Sequence, residues 1–408
     1  MTHSQRPSLP LSRRRVLTGA GAGAAAAALA VTAASPALPT PSSATRPAPR
    51  GAVPGAFGAL GANFNENIVD IDVGELELGR ATWIRGFVPV HHEDTGNPAE
   101  DPNVQRIVEL GTQGYRTVCS IKFPYRDSRL PAAGSPEMAA MLDRLEPTLA
   151  ALMDHVDILV VGNEPFIDTR PVDQTEALNV FHETAARRTI AHRAEHCGED
   201  CRTTLYMGSL TALDLPKGHN PVARRWMRYV RETPEIKGVD IHPHVPAADD
   251  ARPFLDYILP KMRDDQTFLV TEFSLVDLWG RHNEDPVPAA FTDAYGFPAG
   301  TKVWEVVQAA IDAPFPQRKW NAFLASLPWY EDNKHFLRHQ MELYRGTGRL
   351  AVATYGYRQG SAMVNKWGPG QPPWLLNSVF APYTVRPWAD GSAGRGYAWL
   401  GDFRALQT

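Results

Sequence analysis

Two glutamates stand where short apolar runs stop: Glu164 in Val160-Val161-Gly162-Asn163-Glu164-Pro165 and Glu272 in Phe268-Leu269-Val270-Thr271-Glu272-Phe273, 108 positions apart. Breaking an acetal needs a proton on the departing oxygen and a negative charge beneath the carbon that becomes electron-poor. A pair of carboxyls about 5–5.5 Å apart does both, one as acid and then base, the other as nucleophile; about 6.5–9.5 Å leaves room for a water and inverts the product instead. Taken singly, a glutamate after a strand is an ordinary helix-capping or solvated residue, and Asn163-Glu164-Pro165 can end a strand because proline lacks a ladder donor. Their joint placement carries the chemical reading.

The elements that must position them follow from apolar periodicity. Strand-like runs fall at 57–64, 82–90, 115–123, 156–161, 203–209, 238–242, 267–272 and 350–357. Helical patterns lie between them at 103–113, 136–153, 174–195, 220–232, 251–263, 302–313 and 334–344. Eight strands alternating with helices predict one α/β domain, a single (β/α)₈ barrel over residues 55–408, with long loops after strands 7 and 8 at 275–300 and 356–383. A doubly wound open sheet is disfavoured, since no glycine-rich phosphate fingerprint follows the first strand. No Gly-x-Ser-x-Gly elbow suggests a serine hydrolase.

In a barrel the carboxyl ends of the strands converge on one face. That face receives Asn63, Asn65 and Glu66 from strand 1, Arg85 from strand 2, Asn163 and Glu164 from strand 4, Asp240-Ile241-His242-Pro243-His244 from strand 6 and Glu272 from strand 7. The chain resembles the large clan of retaining glycoside hydrolases on the (β/α)₈ barrel. Gly162-Asn163-Glu164-Pro165 is similar to that clan's Asn-Glu-Pro signature, and Val270-Thr271-Glu272-Phe273 to its Thr-Glu strand end. The strand 6 segment resembles its His-x-Tyr pattern, with His244 where the tyrosine stands, and Arg85 resembles its strand 2 arginine. The resemblance implies Glu164 as acid/base and Glu272 as nucleophile, with Glu164 carrying the proton and Arg85 keeping Glu272 charged. It also implies that Asn163 donates to the sugar hydroxyl beside the reacting carbon, with Asn63, His242 and His244 nearby, and no cofactor.

Aromatic residues in the two long loops, Trp279, Phe291, Tyr295, Trp367 and Trp374, are candidates to stack on sugar rings; Trp279 is the first choice, and Tyr355 and Tyr357 on strand 8 are further ones. A different class stays open. His91-His92-Glu93-Asp94 and the His242/His244 pair, with Glu164 and Glu272, form a possible ligand set for a metal-dependent barrel hydrolase or sugar isomerase. Strand 1 ends in asparagines rather than the His-x-His of metal-dependent amidohydrolases, so no metal is expected. A non-catalytic carbohydrate-binding barrel is a third reading.

The first residues bound location. Ser12-Arg13-Arg14-Arg15-Val16-Leu17 followed by a Gly/Ala-rich stretch is similar to a bacterial twin-arginine export signal, expected at 1–35, with a Pro/Ala/Ser-rich linker at 36–54. The expected product is secreted and extracellular, with no stable membrane association once the signal is removed, and monomeric. Residues 1–50 hold six arginines and no carboxylate, so the remainder carries 35 basic and 45 acidic side chains, a formal charge of −10. Such acidity argues against nucleic acid as partner and is compatible with a neutral carbohydrate. Of three cysteines, Cys197 and Cys201 are placed for a short disulfide and Cys119 reads as a buried apolar residue.

Overall fold

The computed structural model describes residues 57–407. The export signal and the linker lie outside the described residues. Strands β1 (Ala59–Asn63), β2 (Trp83–Pro89), β3 (Arg116–Lys122), β4 (Ile158–Val161), β5 (Thr204–Leu210), β6 (Ile236–Ile241), β7 (Thr267–Val270) and β8 (Leu350–Gly356) pair in sequence order. All pairings are parallel, and β1 pairs with β8 to close the sheet. The chain is a (β/α)₈ barrel.

Both faces of each strand are covered, which is why the strands read as nearly continuous apolar runs. Trp83, Val118, Ile158, Val160, Tyr206, Leu269 and Val352 fill the barrel interior, while the alternate positions Ile84, Cys119, Leu159 and Val270 pack outward against helices. One step further toward the carboxyl ends, the same inward phase turns polar. Trp83 is followed two residues on by Arg85, Val118 by Ser120 and Leu269 by Thr271. Strand periodicity alone therefore stacks a polar layer on an apolar plug.

The outer layer begins with α1 (Val73–Gly79), α2 (Pro102–Thr112), α3 (Pro136–Leu152), α4 (Glu176–His196), α5 (Pro221–Glu232) and α6 (Arg252–Ile258). Local chemistry starts them: Asp101, Ser135, Thr175 and Asn220 each accept a first-turn backbone N–H, and Pro102, Pro136 and Pro221 sit at first helical positions. Between β7 and β8 the chain makes α7 (Val276–Arg281), α8 (Ala289–Tyr295), α9 (Val303–Asp312), α10 (Gln317–Ala325), α11 (Pro328–Glu331) and α12 (Phe336–Arg345). After β8 come α13 (Ser361–Val364) and α14 (Trp399–Ala405).

Helices α1, α7, α8, α10, α11, α13 and α14 fall where the sequence reading placed no helix. Each has four to nine residues, too few to show a sustained apolar stripe. Cys197 and Cys201 form a disulfide just beyond α4, with Cα atoms 5.1 Å apart. Cys119 is buried and free, and burial pushes its thiol up to about 12. Among the described residues, no helix is long and apolar enough to cross a membrane.

Candidate active site

The site grows out of the end of β4. Gly162 has φ 110°, and a Cβ there would stand 2.2 Å from the Gly208 carbonyl oxygen, so only glycine fits. Two residues on, Glu164 itself has φ 42°, a left-handed conformation uncommon for a side chain of this kind. Such outliers gather where the surrounding structure forces a functional group into position. Here the Glu164 carbonyl accepts from the Ile167 and Asp168 N–H groups, which fixes the turn.

Arg85, fully buried on β2, organises the centre of the face. Its Nη1 donates to Glu272 Oε1 at 2.6 Å, Asn65 Oδ1 at 2.8 Å and Asn63 Oδ1 at 3.1 Å. Its Nη2 donates to Asn163 Oδ1 at 2.6 Å and Ser120 Oγ at 3.2 Å. One planar fork thus sets Glu272 and fixes the amide orientation of Asn163, whose oxygen is engaged and whose NH₂ is the end left to point elsewhere.

The strand 6 histidines complete the cluster. His242 is fully buried, with Nδ1 3.1 Å from Glu164 Oε1 and 3.8 Å from Glu272 Oε1. Its Nε2 lies 2.8 Å from Thr271 Oγ1 and 3.5 Å from Asp240 Oδ2. Asp240 is buried and held by the Thr271 N–H at 3.0 Å and the hydroxyls of Thr271 and Ser209, each at 2.5 Å. Burial opposes a charge on His242, but Glu272, Asp240 and Glu164 outweigh it and raise the imidazole to about 10. Burial likewise works against ionised Glu164, yet the His242 hydrogen bond and charge prevail and hold its carboxyl down at about 2. Both directions favour a charged pair, His242 protonated and Glu164 ionised, joined by one hydrogen bond.

His244 differs from its neighbour. Burial lowers its pKa, which leaves the ring neutral near pH 7. Its Nδ1 is 2.8 Å from Ser274 Oγ, an oxygen that also accepts from the Val276 N–H at 3.3 Å. Its Nε2 lies 3.8 Å from Glu164 Oε1 and 3.8 Å from Glu272 Oε2. That nitrogen is buried without a hydrogen-bond partner. One donor atom each from Glu164, His242, His244 and Glu272 falls within 4.8 Å of the other three, so a carboxylate oxygen of Glu164 lies that close to one of Glu272.

Comparisons with known proteins add little to this geometry. No protein-family model matches the chain, and no curated protein sequence does. Among solved structures, the chain is similar to an endo-1,4-beta-xylanase XylE from Penicillium canescens: 13% identity, 85% of this chain and 93% of that one, TM-score 0.49. It is also similar to a family 5 xyloglucanase from Paenibacillus pabuli, at 10% identity over 86% and 99% of the two chains, TM-score 0.44. At such identities and scores the likeness says nothing of the chemistry, which rests on the residues themselves.

The structure brings together Asn63, Arg85, Asn163, Glu164, His242, His244 and Glu272. Three of the expected aromatic residues stand elsewhere. Trp279 is fully buried: its ring packs on Trp329 and Tyr330, and its Nε1 donates to Asn377 Oδ1 at 2.9 Å, so it offers no face to a sugar. Tyr355 is also fully buried, packed between Phe273 and Trp399 on the outward phase of β8. Tyr357, the neighbouring candidate, is buried too, its hydroxyl donating to the Glu75 carbonyl. The aromatic ring that does reach the site is Trp374, half-buried, with its ring edge-on to His244 at 4.9 Å between centroids.

Residues that sequence reasoning gave no role are Ser120, Ser209, Asp240, Thr271 and Ser274. Strand phase was a usable signal for Ser120 and Thr271, which lie two residues beyond inward-facing Val118 and Leu269. The His91/His92 pair stacks on Tyr125 and does not join the central cluster.

Proposed function

We propose that this protein is a glycosidase that cleaves O-glycosidic bonds of an oligo- or polysaccharide with retention of configuration. The observation that carries the proposal is the convergence of Glu164 and Glu272, from β4 and β7, on oxygens within 4.8 Å of each other. That closeness favours the short carboxyl separation at which one carboxylate attacks directly over the wider gap an inverting enzyme uses for its water.

Glu272 is the nucleophile. Arg85 stabilises its charge at 2.6 Å without blocking its second oxygen, Oε2. Glu164 is the acid/base. His242 holds the resting proton and passes it along the 3.1 Å bond when a sugar oxygen reaches Glu164. The glycosidic oxygen takes that proton as Glu272 attacks the anomeric carbon, and the leaving alcohol departs. Glu164, now ionised, removes a proton from water, which attacks the same carbon and releases Glu272. The Asn163 amide donates to the adjacent sugar hydroxyl. The His244 Nε2, lacking a partner and facing both carboxylates, is placed to hydrogen-bond the sugar. Trp374 forms the apolar wall. The enzyme acts outside the cell as a monomer after removal of its amino-terminal signal.

Hydrolysis of a panel of plant and microbial glycans, with the anomer of the first product followed by NMR, tests the proposal. Release of the retained anomer supports it, and the inverted anomer would remove the double displacement. A second reading, a divalent metal held by Glu164, His242, His244 and Glu272, is favoured by the clustering of their four donor atoms and by the orphaned His244 Nε2. Against it, the Arg85 guanidinium already supplies the positive charge at Glu272 Oε1. Activity that survives exhaustive chelation discards the metal reading.

A further inference from the structure

On the outer layer, α4 aligns Arg188, His192 and His196 at four-residue intervals, one stripe along the helix, facing Glu146 on α3. The His192 and His196 rings have centroids 4.6 Å apart. His192 Nδ1 lies 2.6 Å and His196 Nε2 3.9 Å from the same oxygen, Glu146 Oε1. Arg188 Nε donates to the other oxygen, Oε2, at 2.5 Å. These residues line a groove of about 700 Å³ with Asp143, Asp154 and Cys197.

We infer that Glu146, His192 and His196 form a binding site for a borderline divalent transition metal ion such as zinc, unconnected with the carboxylate pair. The donor set decides the class of ion: two imidazoles and one carboxylate suit zinc, copper or nickel, whereas magnesium and calcium prefer oxygen alone. Tetrahedral ligands about 2.0–2.1 Å from zinc stand roughly 3.3 Å from one another. The measured separations of 2.6 and 3.9 Å bracket that figure, so small side-chain adjustments admit the ion. The open groove supplies water for the fourth position.

Three features of the surroundings favour the ion. The two histidines occupy the last turns of a 21-residue helix, where unpaired carbonyls concentrate negative potential. Arg188, bound to Oε2, orients the carboxylate so that Oε1 alone faces the imidazoles, the outer hydrogen bond that metal-ligating carboxylates use. The Cys197–Cys201 disulfide begins at the residue after His196 and restrains the end of the helix. The ion would clamp α3 to α4. Helix α4 starts after the loop bearing Glu164 and runs back about 30 Å to the amino-terminal face, so the site takes no part in the reaction proposed above.

Zinc binding to the untagged full chain, stripped of metal with EDTA and dialysed, tests the inference by calorimetry and thermal melting. The inference predicts one zinc bound, a raised Tm, and a loss of affinity of about tenfold or more in both His196→Ala and Glu146→Gln. His196 has a side chain 58% exposed, so its removal leaves folding intact, which circular dichroism verifies. His244→Ala should retain the binding. No zinc bound by the wild-type chain, or binding unchanged in His196→Ala and abolished in His244→Ala, would overturn the inference while leaving the glycosidase proposal standing.

Discussion

Arg85 Nη1 sits 2.6 Å from Glu272 Oε1, across 187 positions of sequence, with the arginine fully buried and the glutamate side chain 12% exposed. The same guanidinium holds Asn63, Asn65, Asn163 and Ser120. Truncation therefore strands four polar groups and the Glu272 carboxylate together. Arg85→Ala should cost about 3–5 kcal/mol of unfolding free energy, measurable by chemical denaturation. Arg85→Lys should recover part of the stability but little activity, because an ammonium cannot span both Glu272 and Asn163.

His242 makes stability depend on pH in a direction that can be worked out. Its folded pKa, raised to about 10, lies above the unfolded value near 6.5, so its contribution is complete below about pH 6.5 and is lost as pH rises through about 10. Glu164, depressed to about 2, contributes above its unfolded value of about 4.3, and that contribution is lost as pH falls through about 2. Melting temperature against pH should fall between about pH 7 and 10 in the wild type. In His242→Gln that alkaline decline should flatten, and identical curves would count against a charged His242.

The two tryptophans near the face should separate cleanly. Trp279→Ala removes a fully buried ring and should cost about 3–5 kcal/mol of stability. Trp374→Ala should leave Tm within a few degrees and raise KM roughly 3- to 10-fold through lost stacking on the sugar. Denaturation and steady-state kinetics on both variants check this together. The reverse pattern would put the sugar on the other side of the loop.

The Cys197–Cys201 bridge closes a short loop, and short loops restrain the unfolded chain least. Replacing both cysteines with serine should cost about 2 kcal/mol or less, with full glycan hydrolysis retained.

What was legible in the sequence follows from local physics. All eight strands were readable because burial on both faces makes continuous apolar runs, and Glu164 and Glu272 were readable because each interrupts such a run. Arg85, His242 and His244 followed from their place at strand ends. Trp279 misled because its burial depends on Asn377, Trp329 and Tyr330, residues 50 to 98 positions distant. Trp374 was visible only as one of several loop aromatics until the fold set it against His244. The location of the acid's proton was also beyond the sequence, since it depends on three carboxylates meeting one imidazole at 3.1, 3.5 and 3.8 Å.

The central claim is that Glu272 attacks the sugar while Glu164 manages the proton. Glu272→Ala assayed on an activated aryl glycoside, with and without sodium azide, tests it most directly. The account predicts activity reduced by about 10⁴-fold or more, restored in part by azide, with a glycosyl azide of inverted configuration as product. Full activity in Glu272→Ala without azide, or a rescued product of retained configuration, would contradict it.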